Sequence, residues 1–112
     1  MINLAAGKCV PCRAGEPPLT EAAIEDLMFH VPQWKVEQHD SIPHLTRTFK
    51  FKNFAEALSF TNKVGAIAEE EDHHPMLITE WGKVTVQWWT HLIKGLHTND
   101  FIMAAKTEEI YG

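Results

Sequence analysis

Residues 69–91 read EEEDHHPMLITEWGKVTVQWWTH, and the fold turns on how this stretch is parsed. Pro75 disfavours the α region at His74, so a helix arriving from upstream should end by the histidine pair. Beyond it, Met76 to Trp81 and Lys83 to Thr90 form two strands around Gly82, an antiparallel hairpin. With a two-residue loop, either Trp81-Gly82 or Gly82-Lys83, parity puts Leu77, Thr79, Trp81, Val84, Val86 and Trp88 on one mostly apolar face. Met76, Ile78, Glu80, Thr85, Gln87 and Trp89 share the other, with His74 and His91 at the open end. In the Gly82-Lys83 register His74 lies directly across from His91, about 4.5–5.5 Å between Cβ atoms. A three-residue loop would reverse the parity.

Working outward, Asn53 followed by Glu56 resembles a capping box that opens a helix from Phe54 to about Glu70. Phe54, Ala57, Leu58, Thr61, Val64, Gly65 and Ala68 fall on its inner stripe. Upstream, residues 1–18 read as an irregular arm ending in Gly15-Glu16-Pro17-Pro18, and residues 19–112 as the folded domain. Thr20 can cap a helix over about 21–29, with Ala23, Ile24, Leu27 and Met28 on one face and Pro32 as its stop. Residues 34–37 and 44–51 alternate, so they form two strands joined by Asp40-Ser41-Ile42-Pro43. At the other end Thr98 or Asn99 caps a helix carrying Phe101, Ile102, Ala105 and Ile110, with Asp100 in its first turn. The order α-β-β-α-β-β-α implies an α+β fold, a four-stranded antiparallel sheet with helices on one face. Exposed sheet edges in so small a domain favour oligomerisation.

The 112 residues suffice for a single domain with one core. Ten basic against fifteen acidic residues give a net charge of −5, and no Lys/Arg run advertises nucleic-acid binding. No apolar run reaches the roughly 18 residues of a membrane span. The first residues lack the apolar core of a secretory signal, so a cytoplasmic location is expected. Cys9 and Cys12 form one Cys-x-x-Cys. One pair cannot fill a four-thiolate zinc site, and no helix follows directly as in a thioredoxin-type motif. Two reduced cysteines in a mobile arm is the plain reading; a metal site completed by a second subunit or a histidine is its rival.

Three of the seven histidines, His73, His74 and His91, fall within residues 69–100 together with Glu69 and Asp100. Imidazoles exchange protons near neutral pH, so the cluster points first to acid–base chemistry. Three histidines plus Asp100 also make a zinc or iron set, although adjacent histidines on a strand point apart. His30, His39, His44 and His97 have no partner that spacing identifies. Trp81, Trp88 and Trp89 read as core or interface aromatics, whereas Trp34 fits either a core or a ligand-contact position. The run of four acids at residues 69–72 opposes the dipole of the helix it ends, which hints at a functional reason for at least one of them.

At these positions the sequence resembles the pterin-4a-carbinolamine dehydratase family. The pattern is an acidic residue, three residues, His-His-Pro, an aromatic after five more, a histidine after nine more, and an aspartate. Glu69, His73-His74-Pro75, Trp81, His91 and Asp100 fill it without a gap. The likeness spans about residues 19 to 112 and includes Trp34 near the first strand and residues 49–54 before the second helix. Trp88-Trp89-Thr90-His91 is bulkier than the small hydroxyl residues common there, and the Cys-x-x-Cys arm lies outside the shared domain. The resemblance implies elimination of water from the 4a-carbon of a hydroxylated tetrahydropterin, with no metal or redox cofactor. It makes His73 and His91 the acid–base pair and His74 mainly the holder of the pterin. Glu69 and Asp100 would support the imidazoles and the substrate, and Trp34 would pack beside the pterin. It implies a homodimer or homotetramer serving an aromatic amino acid hydroxylase. A non-catalytic protein-binding scaffold and a metal-dependent enzyme are the competing readings.

Overall fold

The computed structural model describes residues 3–11 and 13–112. Helix α1 (Glu21–Met28) starts where Thr20 Oγ1 accepts the Ala23 N–H at 3.2 Å, as the sequence suggests. Strands β1 (Lys35–His39) and β2 (Ile42–Lys50) pair with His39 opposite Ile42, leaving only Asp40-Ser41 in the turn. Both turn residues have positive φ, 52° and 65°, the primed geometry whose twist matches that of paired strands. The connection is therefore shorter than expected, and Pro43 belongs to the strand. Pro43 precedes Leu45, the first β2 residue paired with the central neighbour, so its missing N–H costs no bond on that side.

Helix α2 (Phe54–Glu71) begins with Asn53 Oδ1 accepting the Glu56 N–H at 2.9 Å. The Glu56 carboxylate takes the Lys52 N–H rather than that of Asn53, so the reciprocal half of the capping box shifts by one residue. The buried stripe is Ala57, Phe60, Val64 and Ala68; Phe54 and Leu58 are 45% and 43% exposed. The expected stripe was rotated because it omitted Phe60, whose ring packs against Phe49 and Phe51 at centroid distances of 4.8 and 5.1 Å. That large ring, not Phe54, turns the helix toward the sheet.

Strands β3 (Met76–Glu80) and β4 (Lys83–Trp88) close around Trp81-Gly82, with Glu80 opposite Lys83. The parity holds: Val84, Val86 and Trp88 are fully buried on one face. The Gly82-Lys83 register does not form, and His74 has no ladder partner at His91. Trp81 sits in the turn, 72% exposed, away from the apolar face. β4 ends at Trp88, two residues before the expected end. Thr90 then bridges Gly95, and His91–Ile93 form a 3-10 turn.

Helix α3 (Thr98–Tyr111) is capped by His97, not by Thr98 or Asn99. His97 Nδ1 accepts the Asn99 N–H at 3.0 Å, while the Asp100 carboxylate accepts the His97 N–H at 2.9 Å. An imidazole here replaces the usual short capping oxygen. The antiparallel sheet has the order β1-β2-β4-β3, with β1 and β3 at its edges. Leu45, Phe49, Val84, Val86 and Trp88 form its buried face, joined by Phe101 and Met103 of α3. Burying Leu45 or Phe49 fully contributes about 1.5–3 kcal/mol each. The expected α+β architecture and element order are present. Among the described residues no helix is long and apolar enough to cross a membrane.

Within the segment expected to be irregular, Leu4–Ala6 form a 3-10 turn, and Leu4 joins the core. Lys106 Nζ donates to the Ala5 carbonyl at 2.8 Å, tying the turn to α3. Cys12, the second half of the Cys-x-x-Cys, lies outside the described residues.

Candidate active site

The C-terminal end of α2 sets the first two histidines. Asp72 adopts the left-handed conformation (φ 53°, ψ 42°), and its N–H reaches the carbonyls of Ala68 and Glu69. The His73 N–H also donates to Ala68 O, at 3.1 Å. This 6→1-type closure ends the helix sharply and redirects the chain at His73 and His74 before Pro75. On the other side, the turn after β4 carries His91. A cavity of about 380 Å³ lies between, lined by His73, His74, Thr90 and His91. That volume lies within the range of small-molecule sites.

His73 is anchored from below. Its Nε2 meets Asp100 Oδ1 at 2.6 Å, and Asp100 is fully buried. The same carboxylate accepts the Thr90 hydroxyl at 2.9 Å and the His97 N–H at 2.9 Å. Three donors satisfy a charge that would otherwise be costly to bury. An ionised carboxylate can only accept, so Nε2 of His73 carries a proton and Nδ1 remains for a ligand. The ring lies parallel to that of Trp88, 5.9 Å away at 9°.

His74 Nε2 meets Glu69 Oε1 at 2.6 Å on the surface, with side-chain exposures of 52% and 81%. The His91 side chain has no hydrogen-bond partner among the described residues; its ring is 4.4 Å from that of Trp89. Trp89 in turn stacks on His44 at 3.8 Å and 3°, and His44 on His39 at 4.6 Å. His44 Nδ1 lies 2.9 Å from Gln87 Oε1, which fixes that nitrogen as the donor. A row of four rings therefore runs from His39 through His44 and Trp89 to His91 at the cavity.

The structure brings His73, His74 and His91 to one cavity. Asp100 stands behind His73 and Glu69 beside His74. Trp34 is not there: it is 3% exposed, edge-on to Phe49, and its Nε1 donates to Glu108 Oε1 at 2.7 Å. Sequence reading assigned His39, His44 and His97 no partners; Glu37, Gln87 and Glu16 provide them. Thr90, which completes the Asp100 shell, was also missed, since a threonine carries no signal beyond its place before His91. The metal alternative finds no support in the donor set. His73 and His74 each turn Nε2 to a different carboxylate, and among the described residues no group of three or more ligands converges.

The arrangement offers one imidazole locked to a buried carboxylate and a second that lines the same cavity. Such a pair can give one proton and take another on a single ligand. Comparison with known proteins gives this geometry a family. The family model described as "Pterin 4 alpha carbinolamine dehydratase" matches residues 17–110. A Chlorobium luteolum protein named "Putative pterin-4-alpha-carbinolamine dehydratase" is 53% identical over 104 residues, 93% of this chain and 91% of its own. A Microcystis aeruginosa protein of the same name is 52% identical over 111 residues, covering 99% and 96%. A Brucella melitensis crystal structure described as a transcriptional coactivator/pterin dehydratase superposes with TM-score 0.76 at 33% identity, over 85% of this chain and 99% of that one. A pterin dehydratase-like RuBisCO assembly factor shares the fold alone, at TM-score 0.61 and 20% identity over 74% of this chain and 94% of that one.

Proposed function

This chain belongs to the pterin 4 alpha carbinolamine dehydratase family, and from that premise we propose that it dehydrates 4a-hydroxytetrahydropterin by histidine acid–base catalysis. Family membership makes it a hydro-lyase acting on a pterin. The hydroxyl on the 4a-carbon leaves poorly until protonated, and the ring must lose a proton as the C–O bond breaks. A protonated imidazole gives a proton to the departing hydroxyl, which leaves as water. A neutral imidazole takes the ring proton, and the quinonoid dihydropterin forms with no change in redox state.

His73 and His91 are the pair in this reading. Asp100 holds the proton on His73 Nε2, leaving Nδ1 for the pterin. His74, steadied by Glu69, holds the substrate. The observation that carries the reading is the single cavity shared by the three imidazoles. Each positioned group supplies about 10²–10⁴-fold in rate. The reaction recycles the pterin of aromatic amino acid hydroxylases, whose product is the substrate here.

The direct test supplies enzymatically generated 4a-hydroxytetrahydropterin and follows its dehydration with and without the protein, in buffer and in chelator. Rapid, chelator-insensitive dehydration is expected. A rate equal to the spontaneous one would leave the scaffold reading in its place. The coactivator description of the Brucella protein favours that reading as second.

A further inference from the structure

Cys9, Val10 and Pro11 line the same cavity as His73, His74 and His91, although they precede residue 17, where the family match begins. Their placement is built from several independent bonds. The Cys9 N–H donates to Glu71 Oε1 at 2.9 Å. The Val10 N–H donates to Asn99 Oδ1 at 3.1 Å, and Asn99 Nδ2 donates to the Val10 carbonyl at 2.7 Å. One buried amide thus meets both backbone groups of Val10, as a neighbouring strand would. Leu4 in the core and Lys106 on the Ala5 carbonyl fix the start of the same segment.

Both anchors sit beside the catalytic machinery. Asn99 precedes Asp100, and Glu71 stands two residues before His73. Glu71 lies where a negative charge opposes the helix dipole. A carboxylate that must catch the Cys9 N–H explains that placement; Glu69 has its own reason in His74. Removing residues 9–11 would open the cavity along that side, whereas tight small-ligand sites enclose most of the ligand surface.

We infer that residues 9–11, held by Glu71 and Asn99, form a wall of the pterin site and set how tightly the pterin is bound. The inference rests on the dehydratase reading. Glu71 and Asn99, which line the cavity themselves, are positioning residues acting through the wall, and the chemical step stays with the histidines.

The test uses Cys9 as a reporter. The sequence has two cysteines, so C12S leaves Cys9 as the only thiol. Its alkylation by iodoacetamide is timed with and without 7,8-dihydrobiopterin, whose binding is followed separately by tryptophan fluorescence. At about ten times the pterin's Kd, occupancy should slow alkylation about tenfold. Pterin binding with unchanged alkylation overturns the wall and leaves the dehydratase reading standing. No pterin binding overturns both. In parallel, E71A should raise KM about tenfold with kcat little changed, the effect of one lost charge-assisted bond. E71Q keeps an acceptor for the Cys9 N–H and should restore KM. A wild-type KM in E71A, or a fall in kcat alone, overturns the inference.

Discussion

His73 and Asp100, 27 positions apart in the chain, meet at 2.6 Å with the carboxylate fully buried. The contact joins the end of one helix to the first turn of another, and fixes the ring's tautomer by the chemistry of an acceptor-only partner. Replacing Asp100 by Asn tests it. An amide has a single oxygen, so its NH2 group would face one of the three donors that now converge. Stability should fall by about 1–3 kcal/mol in denaturant unfolding. Turnover should fall about 10–100-fold, the range seen when the outer partner of a functional imidazole is lost.

Alanine at His73 and at His91 should each lower kcat by about 10²–10⁴-fold. The two variants should separate in stability. His91 is exposed and its side chain makes no hydrogen bond among the described residues, so H91A should keep the wild-type Tm. H73A leaves Asp100 with one donor fewer and should cost about 1–3 kcal/mol. Steady-state kinetics and thermal unfolding on the same samples decide both points.

Trp34→Phe should act on stability rather than on the pterin. Its ring belongs to the core cluster and its Nε1 bond to Glu108 is partly buried, and neither residue lines the histidine cavity. Loss of that bond leaves the Glu108 carboxylate with Arg47, and a cost of about 1–3 kcal/mol is expected. A raised pterin KM with unchanged Tm would return Trp34 to the binding site.

Gly82→Ala should destabilise the hairpin. Gly82 has φ +76°, and an added Cβ would stand 3.3 Å from the Phe51 carbonyl oxygen. A left-handed conformation costs a side chain about 1 kcal/mol or more. A Tm equal to wild type would mean that the turn can change type.

Glu37 should titrate below the ordinary glutamate value, because the Lys35 ammonium hydrogen-bonds its carboxylate. With the folded-state pKa depressed, the pair's contribution is present above the unfolded pKa and is lost as pH falls through the folded one. Both groups are solvated, so the effect is small and weakens with salt. A carboxyl NMR titration should show the midpoint rise toward 4.5 in Lys35→Met.

Much of the fold was legible because short-range chemistry dictates it. Thr20 and Asn53 cap their helices through bonds to residues three positions on, and Pro75 halts α2 by local sterics. The hairpin's parity followed from alternation alone, yet its register did not, since Trp81-Gly82 and Gly82-Lys83 satisfy the same alternation. Phe60 was missed on the inner stripe because helical spacing admits neighbouring stripes, and packing against Phe49 chooses between them. At α3 the cap went to His97, whose role depends on the Asn99 N–H donating to its ring and the Asp100 carboxylate accepting its own N–H.

By itself the sequence determined the element order and the set of imidazoles, because periodicity, caps and proline act within a few residues. Tertiary structure alone decided which side chains face one another across the chain. It drew Asp100 beneath His73, sent Trp34 to Glu108, and laid residues 9–11 along the cavity. Those choices join residues 27 to 89 positions apart, where only the packing of helices on a sheet fixes distance.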